Sequence, residues 1–173
     1  MPGRFERARH RVELDRLGWP LAEHFDVSAE SGAPSNGFLL ELMDGRSIVG
    51  EVERFLLAET VLEFRADYAA TSHVVPFSEI KSLRLRQPLV LKPHKSLAGL
   101  KLEGALGDRD FLVTFVGGTT LGGRARAVME DRHGLFIYHL YDGGKVFAVF
   151  VPRSAVTAER IGARLGQVLV AKE

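Results

Sequence analysis

Arginine is the residue type in this chain best suited to hold a ligand. Its planar fork grips a phosphate at two points and can also stack on a ring. Arg124, Arg126 and Arg132 fall close together in sequence, and Arg164 precedes a Leu165-Gly166 pair. These six residues form the candidate ligand-binding set for a phosphate-bearing molecule. Two further basic clusters are Arg4, Arg7, Arg9 and Arg11 with His10, and Lys81, Arg84 and Arg86. Acidic residues are interleaved with the first, and the second alternates with leucine, so both read as charged outer faces. Aromatic residues of the kind that stack on single-stranded bases are scarce beside them.

Other chemistry is excluded by type or spacing. The chain has no cysteine, which removes disulfides, thiolate zinc sites and thiol nucleophiles together. Its six histidines, at 10, 24, 73, 94, 133 and 139, form no pair at metal spacing. His133 and His139 would meet only if the intervening chain folded back. Ser78 and Ser154 lie in no nucleophile-elbow sequence, and the neighbours Glu130 and Asp131 point apart on a strand or turn. The glycine-rich run 116–123 lacks a lysine and opens into a strand, so it is no phosphate loop. No catalytic residue, metal site or resident cofactor is expected, and the chain reads as a non-enzyme.

The elements that must position these residues come in two copies. Phe38, Gly45, Ile48 and Gly50 align without a gap on Phe111, Gly118, Leu121 and Gly123, and Leu62 meets Leu135 in the same register. After a short length difference, Val75-Pro76 aligns with Val151-Pro152. Within each copy apolar residues alternate with a period of two, as in Phe38, Leu40, Leu42 and in Phe111, Val113, Phe115, which is the strand period. Gly45 and Gly118 supply tight turns. Gly50 and Gly123 lie inside strands, where glycine marks a bend, and Pro76 and Pro152 punctuate the closing segment.

The predicted fold is therefore mainly β: two tandem small barrels with short terminal helices. Residues 1–36 hold an N-terminal helix (Arg4 to Leu17) and a flexible loop, 37–87 the first repeat, 88–105 a connector and 106–157 the second repeat. Residues 158–173 start a C-terminal helix that reads as truncated. The connector is too apolar to be floppy and is expected to dock along the barrels. At 173 residues and 46% hydrophobic content the chain can bury a core, while each repeat alone is near the lower size limit for a domain. Lys plus Arg number 23 against 22 Asp plus Glu, so no global field favours nucleic acid or anionic lipid. No apolar run approaches the roughly 20 residues that span a bilayer.

Each repeat resembles an Sm-like or SH3-like barrel: strand, glycine turn, strand with glycine, apolar strand, then a Val-Pro closure. At the positions where Sm proteins hold RNA this chain has Leu56 and Thr60, then Met129 and His133, so the resemblance implies the barrel and argues against nucleic-acid binding. A second resemblance rests on Gly134-Leu-Phe-Ile137, Phe150-Val-Pro-Arg153 and the run Ile161-Gly162 into Arg164-Leu165-Gly166. These segments resemble the amino-terminal accessory region of bacterial type II secretion and type IV pilus assembly ATPases (the GspE/PilB-like family). That resemblance implies a non-catalytic docking or regulatory region with protein partners in a secretion or pilus machine. It also implies a homo-oligomer through the parent ATPase and a cytoplasmic site, peripheral at the inner membrane through partners. The alternative it implies is a PilZ-like sensor of cyclic di-GMP. Arg124-Ala-Arg126 lacks the PilZ spacing and Arg164 opens only half a helical motif, so cyclic di-GMP binding is expected only in a longer chain.

Overall fold

The computed structural model describes residues 17–22, 24–32, 35–94 and 107–162. The fold is mainly β, in agreement with the period-two alternation. The first repeat contributes β2 (Gly37–Leu42), β3 (Ser47–Leu56), β4 (Val61–Ala66), β5 (His73–Pro76) and β6 (Ile80–Leu85). The second contributes β8 (Arg109–Phe115), β9 (Thr120–Asp131), β10 (Gly134–Leu140), β11 (Val146–Pro152) and β12 (Val156–Ile161). In each repeat the fifth strand returns to pair with the first, giving the orders β6-β2-β3-β4-β5 and β12-β8-β9-β10-β11.

The backbone repeats in detail. Phe38 stands opposite Gly50 as Phe111 stands opposite Gly123. Gly45 N–H donates to Leu42 O at 3.0 Å, and Gly118 N–H to Phe115 O at 3.0 Å. Met43 N–H donates to Glu79 O, and Val116 N–H to Ala155 O, each at 2.8 Å. Pro76 and Pro152 each precede a 3-10 turn, Phe77–Glu79 and Arg153–Ala155, that swings the chain into the fifth strand.

The repeats are not separate units. β6 pairs antiparallel with β11, with Arg84 opposite Val149 and Leu83 opposite Phe150, so ten strands form one continuous sheet. This junction explains why the β10 and β11 sequences do not alternate: both strands are buried on both faces. Leu135, Ile137, Val149 and Val151 point into the second repeat's core with Phe111, Val113 and Phe115. Phe136, Tyr138, Ala148 and Phe150 point the other way, into a larger core shared with the first repeat.

That larger core is capped by chain on either side of the first repeat. Leu17, Trp19 and Ala22 are buried in it, as are Phe25 and Val27 of β1 (Phe25–Val27) and Leu91 of β7 (Leu91–Pro93). β1 and β7 pair as a separate two-stranded sheet. Tyr138 Oη donates to Pro20 O at 2.7 Å, tying this cap to β10.

Two expectations change. The repeats share one sheet instead of standing as tandem bodies, because β10 and β11 carry apolar residues on two faces. The predicted C-terminal helix does not begin at Ala158: Val156–Ile161 is a strand paired with β8. The predicted helix thus loses its first residues to β12, and its remainder, from 163 on, lies outside the described residues. The connector, expected to dock along the barrels, supplies β7 and the buried Leu89 and Leu91 in its described part. The helix over Arg4 to Leu17, apart from Leu17, lies outside the described residues, as do 95–106 and 163–173. Among the described residues no helix is long and apolar enough to cross a membrane.

Candidate functional site

Of the six-residue ligand set, only Arg124, Arg126 and Arg132 are described, and the three are not brought together. Arg164, Leu165 and Gly166 lie outside the described residues. Arg124 and Arg126 share one face of β9, since Ala125 between them is buried in the opposite direction. Arg126 Nε lies 2.6 Å from Asp108 Oδ1 and Arg124 Nη2 4.0 Å from Asp108 Oδ2, so one carboxylate holds both. Arg132 is in the β9–β10 turn, roughly 25 Å along the strand from Arg124 at about 3.3 Å per residue. The same spacing keeps His133 and His139 apart, at opposite ends of β10. Asp131 faces no second carboxylate role: its Oδ1 accepts from His133 N–H and Gly134 N–H and fixes the turn.

Arg153 bridges two strands of the second repeat. Its Nη2 lies 2.7 Å from Glu130 Oε1 and its Nη1 2.9 Å from Glu159 Oε2, clamping β9 to β12. These arginines therefore hold the sheet together. Among the described residues no group of three His, Cys, Asp or Glu side chains is placed to hold a metal ion.

The most distinctive chemistry lies at the junction of the repeats. On the shared-core side Phe150 is fully buried, with ring centroids 5.1 Å from Phe55, 5.0 Å from Phe77 and 4.8 Å from Phe136. Trp19 closes this cluster, 5.3 Å from Phe55 and 5.7 Å from Phe136. Such ring pairs contribute roughly 0.5–1.5 kcal/mol each beyond their burial. Sequence reading missed this cluster. The signal was present in the unbroken apolar runs 134–138 and 146–151, which no one-sided strand requires.

On the opposite side of the junction two cations lie over aromatic rings of the second repeat. Lys81 Nζ is 4.8 Å from the Phe115 centroid and Arg84 Cζ is 4.7 Å from that of Phe147. The cluster read as a solvated basic face is thus partly an interface; its third member, Arg86, lies 3.5 Å from Asp67. A small cleft of about 160 Å³ opens here, lined by Glu41, Ser82, Arg84 and His139 over Leu121 and Val149. Burial, and then the neighbouring Arg84 charge, hold the His139 imidazole below the ordinary histidine pKa.

This depressed value makes a pH dependence. With the folded-state pKa below the unfolded one, His139 costs nothing while neutral in both states, above about pH 6.5. As pH falls through that value towards the folded-state pKa, the unfolded chain takes up the proton first and stability drops. Urea midpoints should therefore fall from pH 7.5 to pH 5.5, and His139→Gln should flatten that part of the profile. An unchanged slope in the variant would remove His139 from the explanation.

Comparison of the chain with known protein families, with curated proteins and with solved structures finds no match.

Proposed function

We propose that this chain is a non-catalytic docking module that holds protein partners on a rigid, bent β platform made of two barrel-like repeats. The observation that carries this reading is the use of its strongest side-chain chemistry. Aromatic rings and cations lock the two repeats together at β6–β11, while among the described residues the strands at the two ends of the sheet, β5 and β12, have no strand beyond them. An unpaired sheet edge is a ready template for another chain.

A secretion or pilus assembly ATPase as the parent, a cytoplasmic place at the inner membrane and oligomerisation through that parent rest on the sequence resemblance alone. Two of the segments that carry the resemblance, 134–137 and 150–153, are also those the doubly buried junction requires. The cyclic di-GMP sensor reading has less support, because Asp108 already engages Arg124 and Arg126. The nucleic-acid reading has less still, since Lys81 and Arg84 are occupied by rings.

The test is site-specific photo-cross-linking in the native host, with the reactive residue placed singly at exposed positions such as Val74, Val116, Tyr141 and Ala158. A discrete protein adduct confined to some of these positions is expected. Absence of protein adducts at every position, together with cyclic di-GMP binding tighter than roughly 100 μM, would replace the docking reading with the sensor.

A further inference from the structure

The fourth strand of each repeat occupies the same place in that repeat, but among the described residues only one of the two is paired on its outer side. In the second repeat this strand is β11, and β6 pairs along it. In the first repeat it is β5, at the end of the sheet order. Pro76 pairs with Val61 and Pro152 with Gly134, so Val74 is the counterpart of Phe150, each lying two residues before its proline. Phe150 is 0% exposed and Val74 is 62% exposed. A proline at this point does not prevent pairing, because β11 receives β6 with Pro152 in place.

The surroundings of the open edge state what would fit it. Val74 stands opposite Glu63 on β4. Glu51, Glu53 and Glu59 lie on or beside β3, on the far side of β4 from the edge, with Arg54 on β3 and Arg65 on β4. Arg54 Nε is 3.5 Å from Glu63 and Arg65 Nη2 is 3.3 Å from Glu51. Both cations are thus matched. Among the described residues Glu53, which accepts from Ser72 just before β5, and Glu59, next to the Thr60 carbonyl that receives Phe77 N–H just after it, leave an acidic excess beside the edge. β6, which fills the equivalent place on β11, is an alternating strand with apolar Leu83 opposite Phe150 and the cations Lys81 and Arg84.

The chain's own other edge does not match. Arg86 N–H donates to Gly37 O as Gly162 N–H donates to Asp110 O, so the counterpart of Leu83 on β12 is Glu159. A second copy docking β12 on β5 would set Glu159 beside Val74 and Glu63, burying one carboxylate against another. The aromatic residues of the internal junction are also missing there, since Glu63 stands where the second repeat has Phe136.

We propose that the β5 edge is a docking site for an extended strand of a partner protein, paired antiparallel, with an apolar residue over Val74 and basic residues beside it. This rests on the docking reading and names its surface. The probe is a synthetic peptide of residues 79–87 of this chain, which carries β6 and its basic flank. The peptide is expected to slow hydrogen exchange at the amides of His73–Val75, and Val74→Lys is expected to weaken it about tenfold or more. Val116→Lys, at another exposed apolar position, should leave binding unchanged. β5 amides left unprotected at roughly 1 mM peptide, or equal binding by Val74→Lys, would overturn the proposal. So would concentration-dependent protection of β5 without peptide, which would make a second copy the occupant. Cross-links at other surfaces would leave the docking reading standing in any of these cases.

Discussion

Gly134→Ala should destabilise the chain by about 3 kcal/mol or more, among the largest effects of any single substitution. Gly134 begins β10 with φ at +150°, a backbone conformation that side-chain-bearing residues rarely adopt. A Cβ there would fall 2.1 Å from Val151 O and 2.9 Å from Pro152 Cα. Both are backbone atoms of the strand paired with β10, so relief requires moving β11. That strand is buried on its two faces and joined to β6, and it has nowhere to move without opening a core. Gly45→Ala is the control. Gly45 also has positive φ, at +90°, but nothing lies within 4 Å of the added Cβ, so its cost should stay near 1 kcal/mol. Chemical denaturation of the two variants compares them directly. Equal losses would mean that β11 yields and that the junction is looser than its geometry implies.

Phe150→Ala should cost about 3–5 kcal/mol. The ring is fully buried and contacts Phe55 and Phe77 of the first repeat as well as Phe136 of its own. Its removal therefore leaves a cavity and uncouples the repeats. Phe111→Ala, in the core that belongs to the second repeat, removes a ring of the same size without touching the first repeat. The two differ in coupling. A double-mutant cycle of Phe55 with Phe150 should give an interaction of about 0.5–1.5 kcal/mol, whereas Phe55 with Phe111 should be additive. Additivity in both cycles would mean that the aromatic cluster does not bind the repeats to each other.

How much of this was legible in the sequence depends on the range of the interaction. The duplication was legible because a turn glycine, a mid-strand glycine and a closing proline are local demands of the backbone. Phe38, Gly50 and Pro76 return as Phe111, Gly123 and Pro152 in the same hydrogen-bonded places. The single sheet was not legible from either repeat alone, because pairing of Leu83 with Phe150 joins residues far apart in sequence. The one local trace was the loss of alternation in Gly134-Leu-Phe-Ile-Tyr138, which marks a strand buried on both faces. The placement of the described arginines of the ligand set was not legible for the same reason. Arg124 and Arg132 are near in number, but an extended strand separates them, and Asp108 is reached only through the β8–β9 pairing. The start of the C-terminal helix was set at Ala158 because the pairing of β12 with β8, which carries a strand through Ile161, joins residues far apart in sequence.

The most direct test of the continuous sheet is equilibrium unfolding in guanidinium chloride, followed at once by Trp19 fluorescence and by far-ultraviolet circular dichroism. Trp19, the only tryptophan, sits in the junction cluster, while the dichroism reports strands of both repeats. One ten-stranded sheet requires the two curves to coincide in midpoint and slope. A fluorescence transition completed while about half of the strand signal persists would show that the repeats unfold separately, and the junction at β6–β11 would then not unite them.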